Sequence, residues 1–376
     1  MKRPQKTCIF LCLVLASILG TGGCQRHFVP GTHKQARTLP PEPDILLSIY
    51  RKAGPQAQVI WEYNCLGAPG STLHRYGAYI YGTTRTGRYF MVDPARGRAV
   101  VNRQIEKESD LYAVIMDSVV IAGFKKKGHT LRGYDTEKGQ KLWERSFEAI
   151  SVPIVPMQPY CIVGTESGWL YLVDARNGRT VWKAFLESRI KGISRWSDLK
   201  IYVSTNRGYV YCINTGDGSM SWYRALRGQL FSEPALSQNG VYVGTNRGTV
   251  YGLSVLSGSV VWRKKLPGAV FKKTVIRGNS LYAVTTRSVL YCLNRTTGVI
   301  QWKTQLPALA GTNPVLEGGV IFLGGLDGSV WTLSAETGDI LSHVKVKGRI
   351  STDIAVLGTS FIAGTEKGRL YGFSIR

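Results

Sequence analysis

Aromatic residues recur at a fixed interval along this chain: Tyr171, Tyr211, Tyr251, Tyr291, Trp331 and Tyr371 stand 40 residues apart. Each lies in the same local phrase. A glycine turn leads into a short strand, a second turn ends in glycine, and a tryptophan follows. Residues 166–182 read ESGWLYLVDARNGRTVW, and residues 246–262 read NRGTVYGLSVLSGSVVW. A repeat of this length is one supersecondary unit that cannot bury its apolar face alone, so neighbouring units must stack.

Residues 232–266 serve as the type unit. Ser232 to Gln238 forms a first strand closed by Asn239-Gly240, and Val241 to Thr245 is a β-branched second strand. Arg247-Gly248 is a tight turn, where glycine supplies positive φ. Thr249 to Ser254 is the third strand, Leu256-Ser257-Gly258 the next turn, and Ser259 to Leu266 the fourth strand. Four antiparallel strands per repeat make the blade of a β-propeller.

The third-strand position is held by Phe90, Leu131, Tyr171, Tyr211, Tyr251, Tyr291, Trp331 and Tyr371. The fourth-strand position is held by Trp61, Val101, Trp143, Trp182, Trp222, Trp262, Trp302 and Ser342. The two series are offset, because the strand around Trp61 has no third strand before it and the strand after Arg369 has no fourth after it. Pairing these two strands closes the ring and removes both open edges. The chain is therefore read as an all-β, eight-bladed propeller with one composite blade. The recurrent tryptophans are expected to pack between blades. Val101 and Ser342 break that series in the blades flanking the composite one, and Ser288 replaces a turn glycine.

The ring begins near residue 57. Before it, Lys2, Arg3 and Lys6 precede an apolar run from Cys8 to Leu19, too short to span a membrane as a mature helix. Residues 1–24 read as a secretory signal. Gly22-Gly23 before Cys24 resembles a bacterial lipoprotein cleavage site, with Thr21 where such sites usually carry leucine, so Cys24 is the candidate lipidated residue. A plain secreted protein is the alternative. Residues 25–56, with Pro30, Pro40, Pro41 and Pro43, form a tether.

The chain is strongly basic, with a formal net charge of +24. That suits an acidic protein, an anionic membrane surface or a cell-wall polymer, and an exported compartment argues against nucleic acid. Lys125-Lys126-Lys127, Arg263-Lys264-Lys265 and Lys272-Lys273 read as a solvated rim. Cys212 and Cys292 share one repeat slot two blades apart, too far for a disulfide, and no C-x-x-C motif occurs. The histidines form no metal-binding pair, and there is no nucleophile elbow or phosphate loop. Asp93, Asp135 and Asp174 before the second turn read as turn caps. No catalytic, cofactor or metal residue emerges.

The phrase G-x-[LV]-Y-x-[LV]-[DNS]-x-x-[TS]-G-x-x-x-W resembles the PQQ-like, or quinoprotein-type, propeller repeat over nearly all of the chain beyond residue 56. Two branches of that group differ in function. Quinoprotein dehydrogenases hold pyrroloquinoline quinone and calcium, are much longer, and carry a vicinal cysteine pair that this chain lacks. In its length, lipid signal and closing strand, the chain is similar to the non-catalytic BamB lipoproteins of outer-membrane β-barrel assembly. That resemblance implies a periplasmic, lipid-anchored monomer within a complex, docked on the soluble domains of the barrel insertase. It also implies a partner site in the interblade run Arg189-Ile190-Lys191, with Ile190 exposed between two cations. A propeller binding anionic cell-wall or surface ligands is the alternative, and a quinoprotein enzyme the third reading.

Overall fold

The computed structural model describes residues 57–107, 110–125, 131–195 and 199–375. The signal, Cys24 and the tether lie outside the described residues. Thirty-two strands form eight four-stranded antiparallel sheets. Blades 1 to 7 each use four consecutive strands, over residues 69–104, 111–145, 155–185, 190–225, 235–265, 275–305 and 315–345. Blade 8 joins three C-terminal strands to Ala57–Asn64, which pairs with Arg369–Ile375 from Ala57↔Ile375 to Asn64↔Arg369. The composite closure is as the offset of the two sequence series requires.

First strands of neighbouring blades meet each other, which places them around the axis, and the fourth strands form the rim. In the type unit the first strand shrinks to Ala235–Leu236. Pro234 has no N–H to donate to the ladder, and the chain is already turning at Ser237, whose backbone exchanges hydrogen bonds with Gly240. The second and third strands are the buried centre of every blade, and their apolar side chains pack against the adjacent blade in a chain of clusters.

The rim tryptophans do pack between blades. Trp182 of blade 3 lies over Gly218 in the last turn of blade 4, and its Nε1–H donates to Thr215 O at 2.6 Å. Trp143 repeats this with Gly178 and Ala175 O, Trp222 with Gly258 and Val255 O, and Trp262 with Gly298 and Arg295 O. Trp61 links blade 8 to Gly97 and Pro94 O of blade 1. A Cβ at Gly218 would stand 2.6 Å from the indole, and the residue has φ +74, so both space and backbone demand glycine there. The aspartates just before these turns cap them: Asp93, Asp135 and Asp174 each accept the N–H two residues on, at 2.9 Å.

The four described cysteines are free and buried, consistent with repeat slots filled by a small apolar side chain.

Candidate protein-docking site

On one face of the ring, the connections into the first strands of blades 4 to 7 gather around the axial mouth. Arg189, Ile190 and Lys191 enter blade 4 there. Arg189 reaches back to Glu166, in the hairpin turn of blade 3, at 2.6 Å. Ile190 is not exposed: it is 0 % accessible, packed among Val152, Leu170 and Val203. The reason is periodic. Ile150, Ile190, Leu230, Val270, Ala310 and Ile350 fall 40 apart, and all are buried where each blade meets the next. Ile190 is thus a core residue of the repeat, and the expectation of an exposed apolar side chain between two cations is corrected. Arg189 and Lys191 stay on the surface side of this segment.

The exposed apolar material lies one register position later and in the next blades. Lys191 Nζ sits over the Phe231 ring at 5.1 Å. Desolvation, then the nearby Arg189 charge, pushes the Lys191 ammonium below the usual lysine range. Phe231 meets Phe271 edge to face at 4.8 Å between centroids. The third member of that slot is Gly311, and the space where its side chain would stand is taken by Leu326. Leu326 N–H in turn donates to Leu309 O at 2.9 Å. Phe231, Phe271, Leu309 and Leu326 are 38, 39, 37 and 39 % exposed. An apolar arc therefore crosses blades 5 to 7, with Arg189 and Lys191 at its blade-4 end. The repeat register was the signal for it, since two phenylalanines occupy a slot filled elsewhere by Ser151, Lys191, Gly311 and Ser351.

Beneath the arc, a cavity of about 640 Å³ opens along the axis, lined by Glu233, Lys273, Thr274, Ile276 and Leu316 among others. Its polar groups are tied to each other from blade to blade. Lys273 Nζ pairs with Glu233 at 2.9 Å, and Lys273 N–H donates to Asn313 Oδ1 at 2.9 Å. Asn313 donates from both N and Nδ2 to the Asp353 carboxylate, each at 2.9 Å. Burial raises the Asp353 carboxyl above the ordinary range, against the bonds from Asn313. Lys272 is desolvated, which lowers its ammonium, and bonds to Gly311 O. Lys272 and Lys273 are thus structural members of the mouth and not part of a solvated rim.

A quinone with calcium, as in quinoprotein dehydrogenases, does not suit these residues. Glu233 and Asp353 are engaged by Lys273 and Asn313, and no two cysteines are adjacent. Among the described residues, no group of three or more His, Cys, Asp or Glu side chains is placed to hold a metal ion.

The family model for the outer membrane protein assembly factor BamB matches residues 166–272 and 246–376, more than half of the chain. The chain belongs to the BamB family. In structure it is similar to BamB from Moraxella catarrhalis, with a TM-score of 0.72 and 19 % identity over 85 % of this chain and 100 % of that one. It is also similar to Sqt1 from Saccharomyces cerevisiae, with a TM-score of 0.73 and 9 % identity over 85 % of this chain and 99 % of that one. The quinohemoprotein alcohol dehydrogenase from Comamonas testosteroni gives a TM-score of 0.69 and 11 % identity over 87 % of this chain and 77 % of that one. At these identities the likenesses establish the eight-bladed fold alone. No curated protein matches the sequence.

Proposed function

We propose that this chain is a non-catalytic scaffold of the bacterial envelope. In this reading it is anchored by a lipid on Cys24 and docks onto a soluble domain of the outer-membrane barrel insertase. The observation that carries the reading is the apolar arc of Phe231, Phe271, Leu326 and Leu309 ending in Arg189 and Lys191. Exposed aromatics beside cations are what a protein interface with an acidic partner uses: the rings supply buried area and the cations supply register and encounter rate. Ile190 contributes from below, by holding the backbone of the segment in place.

The test is crosslinking in envelope preparations followed by identification of the captured proteins. The wild-type chain captures the insertase. Phe231→Ala with Phe271→Ala removes the capture, and Arg189→Glu with Lys191→Glu weakens it. Capture that survives all four changes overturns the docking face. A second reading rests on the net charge of +24: a propeller that binds anionic wall polymer. Its binding falls steeply with salt and is indifferent to the two phenylalanines.

A further inference from the structure

Because the blades repeat, each groove between two of them is a control for the others. The groove between blades 2 and 3 departs from the rest at several positions at once. Phe147 enters it from the connecting loop, four residues after Trp143, where the other blades carry the smaller Leu186, Leu226, Leu266, Leu306 and Val346. Trp169 opens the third strand of blade 3, where the others have Tyr209, Thr249, Val289, Ser329 and Arg369. Phe185 closes the fourth strand, where others have Ala225, Lys265, Gln305 and Lys345. The fold needs neither Trp169 nor Phe185, since the remaining blades close without them, and at the Phe147 position it needs only an aliphatic side chain.

The side chains converge. Trp169 pairs with Phe185 and Tyr171 with Lys183 across the two strands, so all four project from one face of the sheet. Phe147 meets Tyr171 at 4.8 Å with an interplanar angle of 85°, and Trp169 meets Phe185 at 4.9 Å. Lys183 Nζ stands over the Trp169 ring at 4.7 Å. Arg145 lies across the opening and is held there by a 2.9 Å bond to Asn177 O of blade 3. The open groove lined by Arg145, Phe147, Glu148, Tyr171 and Lys183 has a volume of about 700 Å³, and Trp169 and Phe185 lie beside it, next to Lys183. Glu148 is the acid within it, and it accepts the Tyr171 hydroxyl at 3.1 Å. Arg145, Lys183 and Phe185 are exposed.

We infer that this groove is a second binding site, independent of the docking arc, for an extended peptide segment carrying an aromatic side chain next to acidic residues. Two rings at right angles form a corner that accepts a planar ring edge to face. Two cations at its rim complement carboxylates on either side of that ring. A sugar would need an open aromatic platform, but Trp169 is already covered by Lys183 and flanked by Phe185.

The probe is a short dye-labelled peptide alternating Asp and Phe, titrated into the full chain by fluorescence anisotropy. Lys/Phe and Asp/Ser peptides serve as controls. The Asp/Phe peptide binds saturably, and the other two bind at least about tenfold more weakly. Phe147→Ala weakens the Asp/Phe peptide by about tenfold. Arg145→Glu with Lys183→Glu, at exposed positions that leave folding intact, reverses the preference toward Lys/Phe. Arg263→Glu with Lys265→Glu, elsewhere on the basic surface, changes nothing. Four outcomes overturn the site: no binding, equal binding of the Asp/Ser peptide, loss of binding only on Phe231→Ala with Phe271→Ala, or displacement of the peptide by a soluble chitin oligosaccharide. The third also separates a failure of this site from a failure of the docking arc.

Discussion

Between blades 3 and 4 an indole fills the gap at the rim, whereas between blades 7 and 8 the same place holds Ser342. The stapled arc runs through blades 2 to 7, each tryptophan docking on the last-turn glycine of the following blade. Ser342 has no such turn to dock on. In blade 8 the third strand ends the ring and the fourth strand comes from residue 57, so the connecting turn does not exist. Instead Ser342 Oγ accepts the N–H of Ala57, the first residue of the closing strand, at 3.2 Å. The bonding at this interface moves inward, to the two bonds from Asn313 to Asp353 at 2.9 Å, and Asp353 N–H in turn reaches Ser71 O of blade 1 at 2.8 Å. Val101, the other exception, leaves the blade 1–2 interface to Arg132, which pairs with Glu106 at 2.8 Å and Glu144 at 2.9 Å while lying over Phe124. One fold thus closes by apolar staples where the chain is continuous and by polar stitches at two interfaces near its ends.

The largest test of this contrast is Trp182→Ala. It removes a buried indole and its hydrogen bond to Thr215 O, so unfolding in urea should show a loss of about 3–5 kcal/mol. Asp353→Ala should cost less, about 2–3 kcal/mol, because its effect is to leave two donors of Asn313 unpaired rather than to open a cavity. If both variants unfold in one cooperative step, the ring behaves as a unit. If Asp353→Ala instead makes the region near residue 57 protease-sensitive while the spectra of the remaining tryptophans are unchanged, the closure is a separable element.

Blade 1 adds a pH dependence carried by an imidazole. His74 stacks on Tyr81 at 5.2 Å in the first strand of that blade, and desolvation pushes its imidazole down to about 4 from an ordinary 6.5. The folded ring prefers the neutral form, so this contribution is complete above pH 6.5 and is lost as pH falls toward about 4, where it levels off. His74 is only partly buried, so about 1–2 kcal/mol is expected in that window. His74→Gln should flatten the wild-type slope between those two values, measured as denaturant midpoint against pH. An unchanged slope would assign the acid sensitivity elsewhere.

Much of this was legible from spacing. The offset between the aromatic and tryptophan series is a topological fact that survives any uncertainty about strand ends, so blade number and closure followed from it. Ile190 shows where reading by local composition fails: alone, an apolar residue between Arg189 and Lys191 looks like a surface anchor. Set in register with Ile150, Leu230 and Val270, it is core. The polar ring of Glu233, Lys273, Asn313 and Asp353 was also periodic, but its members differ in type, and only three-dimensional closeness reveals that they satisfy one another. The aromatic groove between blades 2 and 3 needed both views, register to show that Phe147, Trp169 and Phe185 are departures, and geometry to show that they meet.

The smallest effect lies at Ser288, where the repeat uses a side chain in a glycine position. Its φ is +59, in the left-handed region that disfavours a Cβ. In the corresponding turn of blade 5, a Cβ at Gly248 would stand 2.2 Å from Gly268 O, so that site has no room. At Ser288 the apposed loop carries Ala308 in the place of Gly268, and the turn still closes, with Ser288 N–H donating to Thr285 O at 3.1 Å. The neighbouring loop has adapted and space is not the cost; only the backbone conformation is. Ser288→Gly should therefore stabilise the ring by no more than about 0.5–1 kcal/mol, since relief of φ is partly offset by the greater freedom of glycine in the unfolded chain. A gain well above that range in thermal unfolding would mean that blade 6 is sterically strained and that Ala308 has not made room.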